Sequence, residues 1–394
     1  MRAVPVPIPD CDNMAMTFGS LFARDPAGGV FKLFCDRRVS YSFSTRVAIR
    51  KACDLLKLRP GDEVLVPAYN CGSEIDPLRN AGLNVSFYPV DRHTMIDPEA
   101  VAARITPQTR AIYLIHYFGF IHPATAEIRK LCDEHGLVMI EDCALSLMSG
   151  VSFADGKTGV DGRAGDVAVF CFYKFFPTLA GGALVINNNH IVSSAQFTAR
   201  APAKALARSI VRACLDATLG RRLISAVQSR FRRWKGSKRV VVDATEYPDM
   251  PEHYYFNSSL ENTRISGFAQ RSLRSFDVMA AASARRANYQ SYLDLLSSMS
   301  GIIPLFPILP DHICPHSMPV LVTDRDAVAE ALNARGIAAT PWWSGYNQHQ
   351  TWVGFPDACF LKNHVLSLPL HQGLGAEAIQ YCVDQLEKLV AQSD

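Results

Sequence analysis

The sequence predicts an α/β protein: a large domain built on a mostly parallel sheet, followed by a smaller α+β domain. Three observations predict it. Near-continuous apolar runs of strand length recur through the first half, as expected of parallel strands covered on both faces. Helix-period segments and short loops separate these runs. After Val240 the pattern changes to Pro-rich, strand-poor sequence, a long helical stretch over 262–299 and an α+β tail. A chain of 394 residues is long enough for two such units. The division is expected at 1–250 and 251–394.

The strands are read, in order, as EVLVP (63–67), VSFYP (85–89), AIYLI (111–115), LVMIE (137–141), VAVFCF (167–172) and ALVIN (183–187). Helices are expected over 46–57, 97–105 and 124–135, the last ending in His-Gly before the next strand. In an open sheet of this kind ligands bind beyond the carboxyl ends of the strands.

Composition narrows the function classes. The net charge of +3 is the sum of two unlike parts. Residues 200–239 carry twelve Lys and Arg against the single acid Asp216, a local +11. The remaining 354 residues hold 28 basic and 36 acidic groups, or −8. This excludes a uniformly basic nucleic-acid binder. No apolar run reaches the length needed to span a bilayer. The Pro-rich start MRAVPVPIPDCDN lacks a secretion signal, and a cytoplasmic location is expected. Eleven cysteines without CxxC spacing argue for a reducing compartment and against a zinc site.

The strand LVMIE runs directly into Asp142, at the edge where ligands bind, although Asp there also suits a helix N-cap. VAVFCF delivers Lys174 among Phe172, Tyr173, Phe175 and Phe176. Burying an ammonium is costly, so this lysine lowers its pKa, pairs with an anion or becomes a covalent imine; the alternative is an edge lysine snorkelling from an apolar loop. The segment SFSTRVAIRKACDLL (42–56) opens an amphipathic helix with Ser42, Ser44 and Thr45, with Arg46 in its first turn, an ordinary cap or an anion site. A lysine, a carboxylate and a phosphate-binding helix terminus are the three things pyridoxal phosphate needs. The pair Gly181-Gly182 permits close backbone approach before the next strand.

Taken in order, PGDEVLVPAYNCGS (60–73), AGLNVSFYPVDRHTMIDPEAVAARITPQTRAI (81–112), IHYFGF (115–120), IEDCA (140–144), GDVAVFCFYK (165–174) and GGALV (181–185) resemble the DegT/DnrJ/EryC1/StrS family of pyridoxal-phosphate-dependent sugar aminotransferases. The resemblance is strong over roughly 40–190 and looser toward the C-terminus, where VLSLPLHQ (365–372) is similar to the element closing the small domain. It implies the aspartate-aminotransferase-like fold type I. It implies that Lys174 bonds the cofactor and then moves the proton during transamination. Asp142 would pair with the pyridine nitrogen, and Thr45 and Arg46 would hold the phosphate. Tyr69, Asn70 and Cys71 match the segment over the cofactor ring, and Ala144 the small residue beneath it. Asn262, in NTRIS, matches an element reaching the cofactor phosphate of a neighbouring subunit, which implies a homodimer with shared sites. Family members that act as dehydratases have His in place of the lysine, so Lys174 implies transamination.

The sequence also departs from the family. Leu145 stands where Gln or His usually sits beside the cofactor's phenolic oxygen, a bond Ser146 could supply instead. Cys171 and Tyr173 occupy a shortened stretch where a phosphate-binding Ser is common. Cys71 replaces a ring-stacking aromatic, leaving Tyr69 as a substitute. His116 ends a strand and is either a cofactor contact or a satisfied core histidine. Trp342 and Trp343 are either packing or a platform for a base or sugar.

The expected activity is amino transfer, with L-glutamate as donor, to a keto sugar attached to a nucleotide, in cell-surface polysaccharide or secondary-metabolite biosynthesis. Two rivals stay open: a non-sugar ketone as acceptor, and an idle family member serving as a membrane-associated scaffold. The second rests on the basic insert at 200–239. Apolar residues recur there at 206, 210, 213 and 217, and again at 223, 227, 231 and 234, with arginines on the other faces. That pattern fits two amphipathic helices over 204–236, which either cover the core or dock on anionic lipid or an acidic partner at the inner membrane face.

Overall fold

The computed structural model describes residues 8–9, 28–150, 160–204 (193 excepted), 207, 211, 250, 254–345, 347, 352 and 354–391. The amphipathic pattern expected over 204–236 falls almost entirely outside them.

Seven strands form the main sheet: β1 (Arg38–Ser42), β2 (Glu63–Pro67), β3 (Asn84–Tyr88), β4 (Thr109–Ile115), β5 (Val138–Cys143), β6 (Val167–Cys171) and β7 (Gly182–Ile186), in the order β1-β7-β6-β5-β4-β2-β3. The five strands from β3 to β6 run parallel, and β7 lies antiparallel between β6 and β1. The six apolar runs are all strands of this sheet. The seventh strand, RVSYS, does not announce itself, because it lies at the edge and has one buried residue in five. The one reversed direction, at ALVIN, follows from its short connection to β6. A loop of ten residues turns back to an antiparallel neighbour, whereas a parallel return needs a crossover of a dozen residues or more.

Helices α1 (Thr45–Leu55), α2 (Ile75–Asn80), α3 (Pro98–Ala102) and α4 (Thr125–His135) connect the strands. The amphipathic face of α1 buries Val47, Ala48, Ile49, Ala52 and Cys53 against β6 and β7. The stretch expected as one helix over 262–299 is two, α5 (Gly267–Leu273) and α6 (Val278–Leu296). Asp277 breaks it: its side chain accepts the Ala280 N–H at 3.0 Å and so starts a new helix.

A second sheet, all antiparallel, joins β8 (Ile303–Pro304), β9 (Met318–Leu321), β10 (Thr340–Pro341) and β11 (Val365–Leu368) in the order β10-β11-β9-β8. With it go α7 (Arg325–Ala334), α8 (Pro356–His364) and α9 (Ala376–Val390). Ile379, Cys382, Val383, Leu386 and Val390 form one buried stripe of α9, which packs on α6.

Arg285 of α6 ties this part of the chain to the lysine loop. It is fully buried, donates to the Leu370 and His316 carbonyls at 2.9 Å and to the Gln372 side chain at 2.9 Å, and lies over the Phe175 ring. Gln372 in turn donates to the Phe175 carbonyl at 3.0 Å. Among the described residues no helix is long and apolar enough to cross a membrane, and no cluster of side chains could hold a metal ion.

Candidate active site

A cleft open to solvent lies at the carboxyl ends of β4, β5 and β6. Thr45, Arg46, Cys71, Asp142, Ala144, Leu145 and Lys174 line it, together with Ser44, Ser73, Glu74, Tyr173 and Trp343. Residues from position 44 to position 343 thus meet where parallel strands end.

Asp142 is placed by strand alternation. Successive residues of β5 point to opposite faces, so Glu141 turns away from the cleft and Asp142 into it. Glu141 accepts the Gly165 N–H and meets His116 Nε2 at 3.1 Å. Asp142 accepts the Tyr113 hydroxyl at 2.7 Å and the Ala144 N–H at 2.9 Å, which fixes both carboxylate oxygens. Burial and then the Asp142 charge push the Tyr113 phenol well up, so it remains a donor to the carboxylate.

Lys174 follows β6 in a loop whose flanking Phe172, Phe175 and Phe176 are fully buried. The aromatic residues anchor the loop in the core while Lys174 itself, half-buried, reaches the cleft.

The first turn of α1 forms the third wall. Ser44 caps it, and the Thr45 hydroxyl donates to the Phe170 carbonyl at 3.1 Å, tying the helix start to β6. The close approach depends on glycine. A Cβ on Gly182 would lie 2.8 Å from the Thr45 nitrogen and 2.9 Å from the Ser44 carbonyl carbon, and Gly181 adopts φ 129°. Arg46 donates to the Tyr254 carbonyl.

The cleft fits pyridoxal phosphate on these grounds: a pinned carboxylate, an amine and a helix N-terminus, the last in a cradle that a Cβ would fill. Thr45, Arg46, Cys71, Asp142, Ala144 and Lys174 are the expected contacts that the structure brings together.

Four others lie elsewhere. His116 is fully buried behind the sheet, with Nε2 on Glu141 and Nδ1 accepting the His122 N–H at 3.1 Å. The expectation of a cofactor contact there is corrected to that of a satisfied core histidine. Tyr69 and Asn70 are buried beneath the cleft. Tyr69 packs against Tyr117 and Trp343, and the Asn70 amide donates to the carbonyls of Pro67 and Ala68. Asn262 is exposed and does not line the cleft. Ser146 is buried and does not line the cleft, so it does not replace a contact at Leu145.

Of the tryptophan pair, only Trp343 lines the cleft; Trp342 packs on Phe118 and His316. Trp343 sits at φ 51°, and its carbonyl accepts an N–H of Lys362 Nζ at 2.9 Å. Lys362 is buried, bonds the Asn70 carbonyl as well, and lies over Trp352.

Glu74 was not singled out in the sequence. The only signal was an acid just after a parallel strand, in CGSE, which also suits a helix cap. Burial, then the Asp142 charge, push its carboxyl up to about 7. Burial likewise raises the Cys71 thiol, which keeps it protonated.

Fold and cleft together define the class: a fold type I transferase, with its ligand site at the strand ends of a mostly parallel sheet. Comparison with known proteins carries this further. The model of the DegT/DnrJ/EryC1/StrS aminotransferase family matches residues 39–213 and 235–387. A UDP-N-acetyl-3-dehydro-alpha-D-glucosamine 3-aminotransferase of Acidithiobacillus ferrooxidans is 29% identical over 342 residues, 84% of this chain and 79% of that protein. A dTDP-4-dehydro-2,3,6-trideoxy-D-glucose 4-aminotransferase of Saccharopolyspora spinosa is 27% identical over 364 residues, covering 90% and 84% of the two chains. The solved structure of PseC, an aminotransferase of pseudoaminic acid biosynthesis in Helicobacter pylori, superposes with a TM-score of 0.66 at 17% identity, covering 99% of each chain. The chain belongs to the DegT/DnrJ/EryC1/StrS aminotransferase family. Aminotransferases of that family are pyridoxal-phosphate enzymes.

Proposed function

We propose that this aminotransferase moves an amino group from L-glutamate to a keto sugar carried on a nucleotide, with pyridoxal phosphate held by Lys174, Asp142 and the first turn of α1. The observation that carries this reading is the convergence of Lys174 and the doubly hydrogen-bonded Asp142 on one cleft. The relatives named above act on UDP- and dTDP-linked keto sugars, which supports the acceptor class.

When bound, the cofactor's ring supplies an electron sink for the carbon that gains or loses the amine. The residues do the rest. Asp142 hydrogen-bonds the ring nitrogen in its protonated form, oriented beforehand by Tyr113 and Ala144. Lys174 Nζ holds and returns the proton that moves between the two carbons on either side of the transferred nitrogen. The N–H groups at the start of α1, with Arg46 beside them, carry the phosphate. Leu145 offers an apolar side chain next to the ring. Asn262, exposed and hydrogen-bonded through its carbonyl to Ala199, is available to a second copy of the chain, and a homodimer with shared sites is part of this reading. So is the division of labour between residues 1–250, which hold the cofactor, and 251–394, which close over it.

Incubation with L-glutamate and a panel of UDP-, dTDP- and GDP-linked keto sugars tests the proposal. It expects 2-oxoglutarate and an amino sugar in equal amounts. It also expects a loss of at least about a thousandfold in Lys174→Ala and of about a hundredfold in Asp142→Asn. Turnover of a free, non-sugar ketone with none of any nucleotide-linked sugar would contradict the acceptor class.

A further inference from the structure

Glu74 shares the cleft with Lys174 and Asp142 and is 4% exposed. Its side chain folds back over its own turn. Oε1 accepts the Cys71 N–H at 2.9 Å, and Oε2 accepts the Ser73 hydroxyl at 3.4 Å. That capping role does not need a charge: a glutamine keeps an oxygen for the Cys71 N–H, and its NH2 group donates to the Ser73 hydroxyl instead.

The groups around Glu74 come from several elements. Asp142 lies on β5, Tyr113 on β4 and Tyr117 just beyond it; both phenols are held neutral by burial. The Cys71 thiol, in the same turn, is also held protonated by burial. Lys362 of α8 is a cation-bearing neighbour whose amine burial pushes well below its usual range. Arg46 of α1 lines the same cleft, and His316, packed toward Lys174, is kept neutral by burial. Of the charged groups around Glu74, Asp142 disfavours a second carboxylate and the positive charge of Lys174 favours it, while the Glu74 charge also favours the protonated form of Lys362. Such an interaction is reciprocal: a cation at Lys174 that stabilises the Glu74 carboxylate is stabilised by it to the same extent.

We propose that Glu74 is a positioning residue for the proton of Lys174: its carboxylate, in the same cleft, holds positive charge at Nζ and so sets the pH at which the cofactor-bound lysine loses its proton. The inference rests on the cofactor reading above. It adds a second carboxylate with a separate duty, Asp142 acting at the ring and Glu74 at the amine.

The test is a spectrophotometric pH titration of the holoenzyme, following the yellow chromophore in wild type, Glu74→Gln and Glu74→Asp. Removal of the charge with the cap retained should lower the midpoint by about one pH unit in Glu74→Gln, while Glu74→Asp stays near wild type. An unchanged midpoint in Glu74→Gln, even with a lower melting temperature, would overturn the inference and leave Glu74 a structural cap. Glu74→Thr serves as a second neutral variant with the same expected shift, should the amide not fold. A wild-type protein with no chromophore would instead refute the cofactor reading itself.

Discussion

Glu141 and Asp142 are adjacent in sequence and perform unlike tasks, because a strand turns them to opposite faces. Glu141 is committed to His116 and Gly165 inside the fold, and Asp142 to the cleft. Two buried groups nearby should make stability depend on pH in opposite directions. The pKa of His122 is lowered to about 4, first by burial and then by the charge of His116. Its unfolded state therefore binds more protons between pH 6.5 and 4, and its contribution is lost as pH falls through that window. The pKa of Glu74 is raised to about 7, so the folded state binds more protons above pH 4.5, and stability falls as pH rises toward 7. In cofactor-free protein Glu74→Gln should raise the unfolding free energy at pH 8 by about 3 kcal/mol and leave it nearly unchanged at pH 4.5. Urea denaturation at the two pH values checks this; equal effects at both would show that folding does not raise the Glu74 pKa. Lys174 and Asp142 were legible in the sequence because each follows an unbroken strand. Glu74 was not, because its carboxylate matters only where three strand ends converge, and CGSE reads equally well as a cap. The sequence left His116 with two readings, because a strand end says which edge a residue occupies, not which face.

At the scale of elements, the approach of β7 to the start of α1 builds the phosphate side of the cleft. Gly182→Ala should push the first turn of α1 away from β6, since the added carbon would sit 2.8 Å from the Thr45 nitrogen. The expected cost is about 1–3 kcal/mol of stability, together with at least a tenfold weaker hold on pyridoxal phosphate in equilibrium dialysis. Unaltered affinity would mean that this turn does not carry the phosphate. The GG pair showed in the sequence that some backbone comes close, without showing which. The six apolar strands were legible from their composition, while the edge strand RVSYS and the reversed direction of β7 were not. Composition reports burial; direction is set by the length of the connection, and edge strands bury little. Asp277 splits the expected long helix for a local reason visible only once its side chain is seen to cap Ala280.

Over the whole molecule, two sheets are joined through buried basic side chains that bond backbone carbonyls. Arg285 connects α6 to the loop after β11 and, through Gln372, to Phe175 beside Lys174. Lys362 connects α8 to Asn70 and Trp343 at the cleft. Strand order could not be read from the sequence, since it depends on contacts between segments far apart in the chain. The ordered series of motifs nevertheless carried the family, because the motifs follow one another through the strands of a single sheet. The basic segment at 200–239 separates the charge of the molecule into unlike parts, yet the family match continues on both sides of it. The central claim is that Lys174 is the residue that bonds the cofactor. The most direct measurement is borohydride reduction of the purified holoenzyme followed by peptide mass mapping. The account predicts one phosphopyridoxyl group per chain, on the peptide containing Lys174, and none in Lys174→Ala. An adduct on Lys362 or any other lysine, or none at all in a protein that still transaminates, would contradict it.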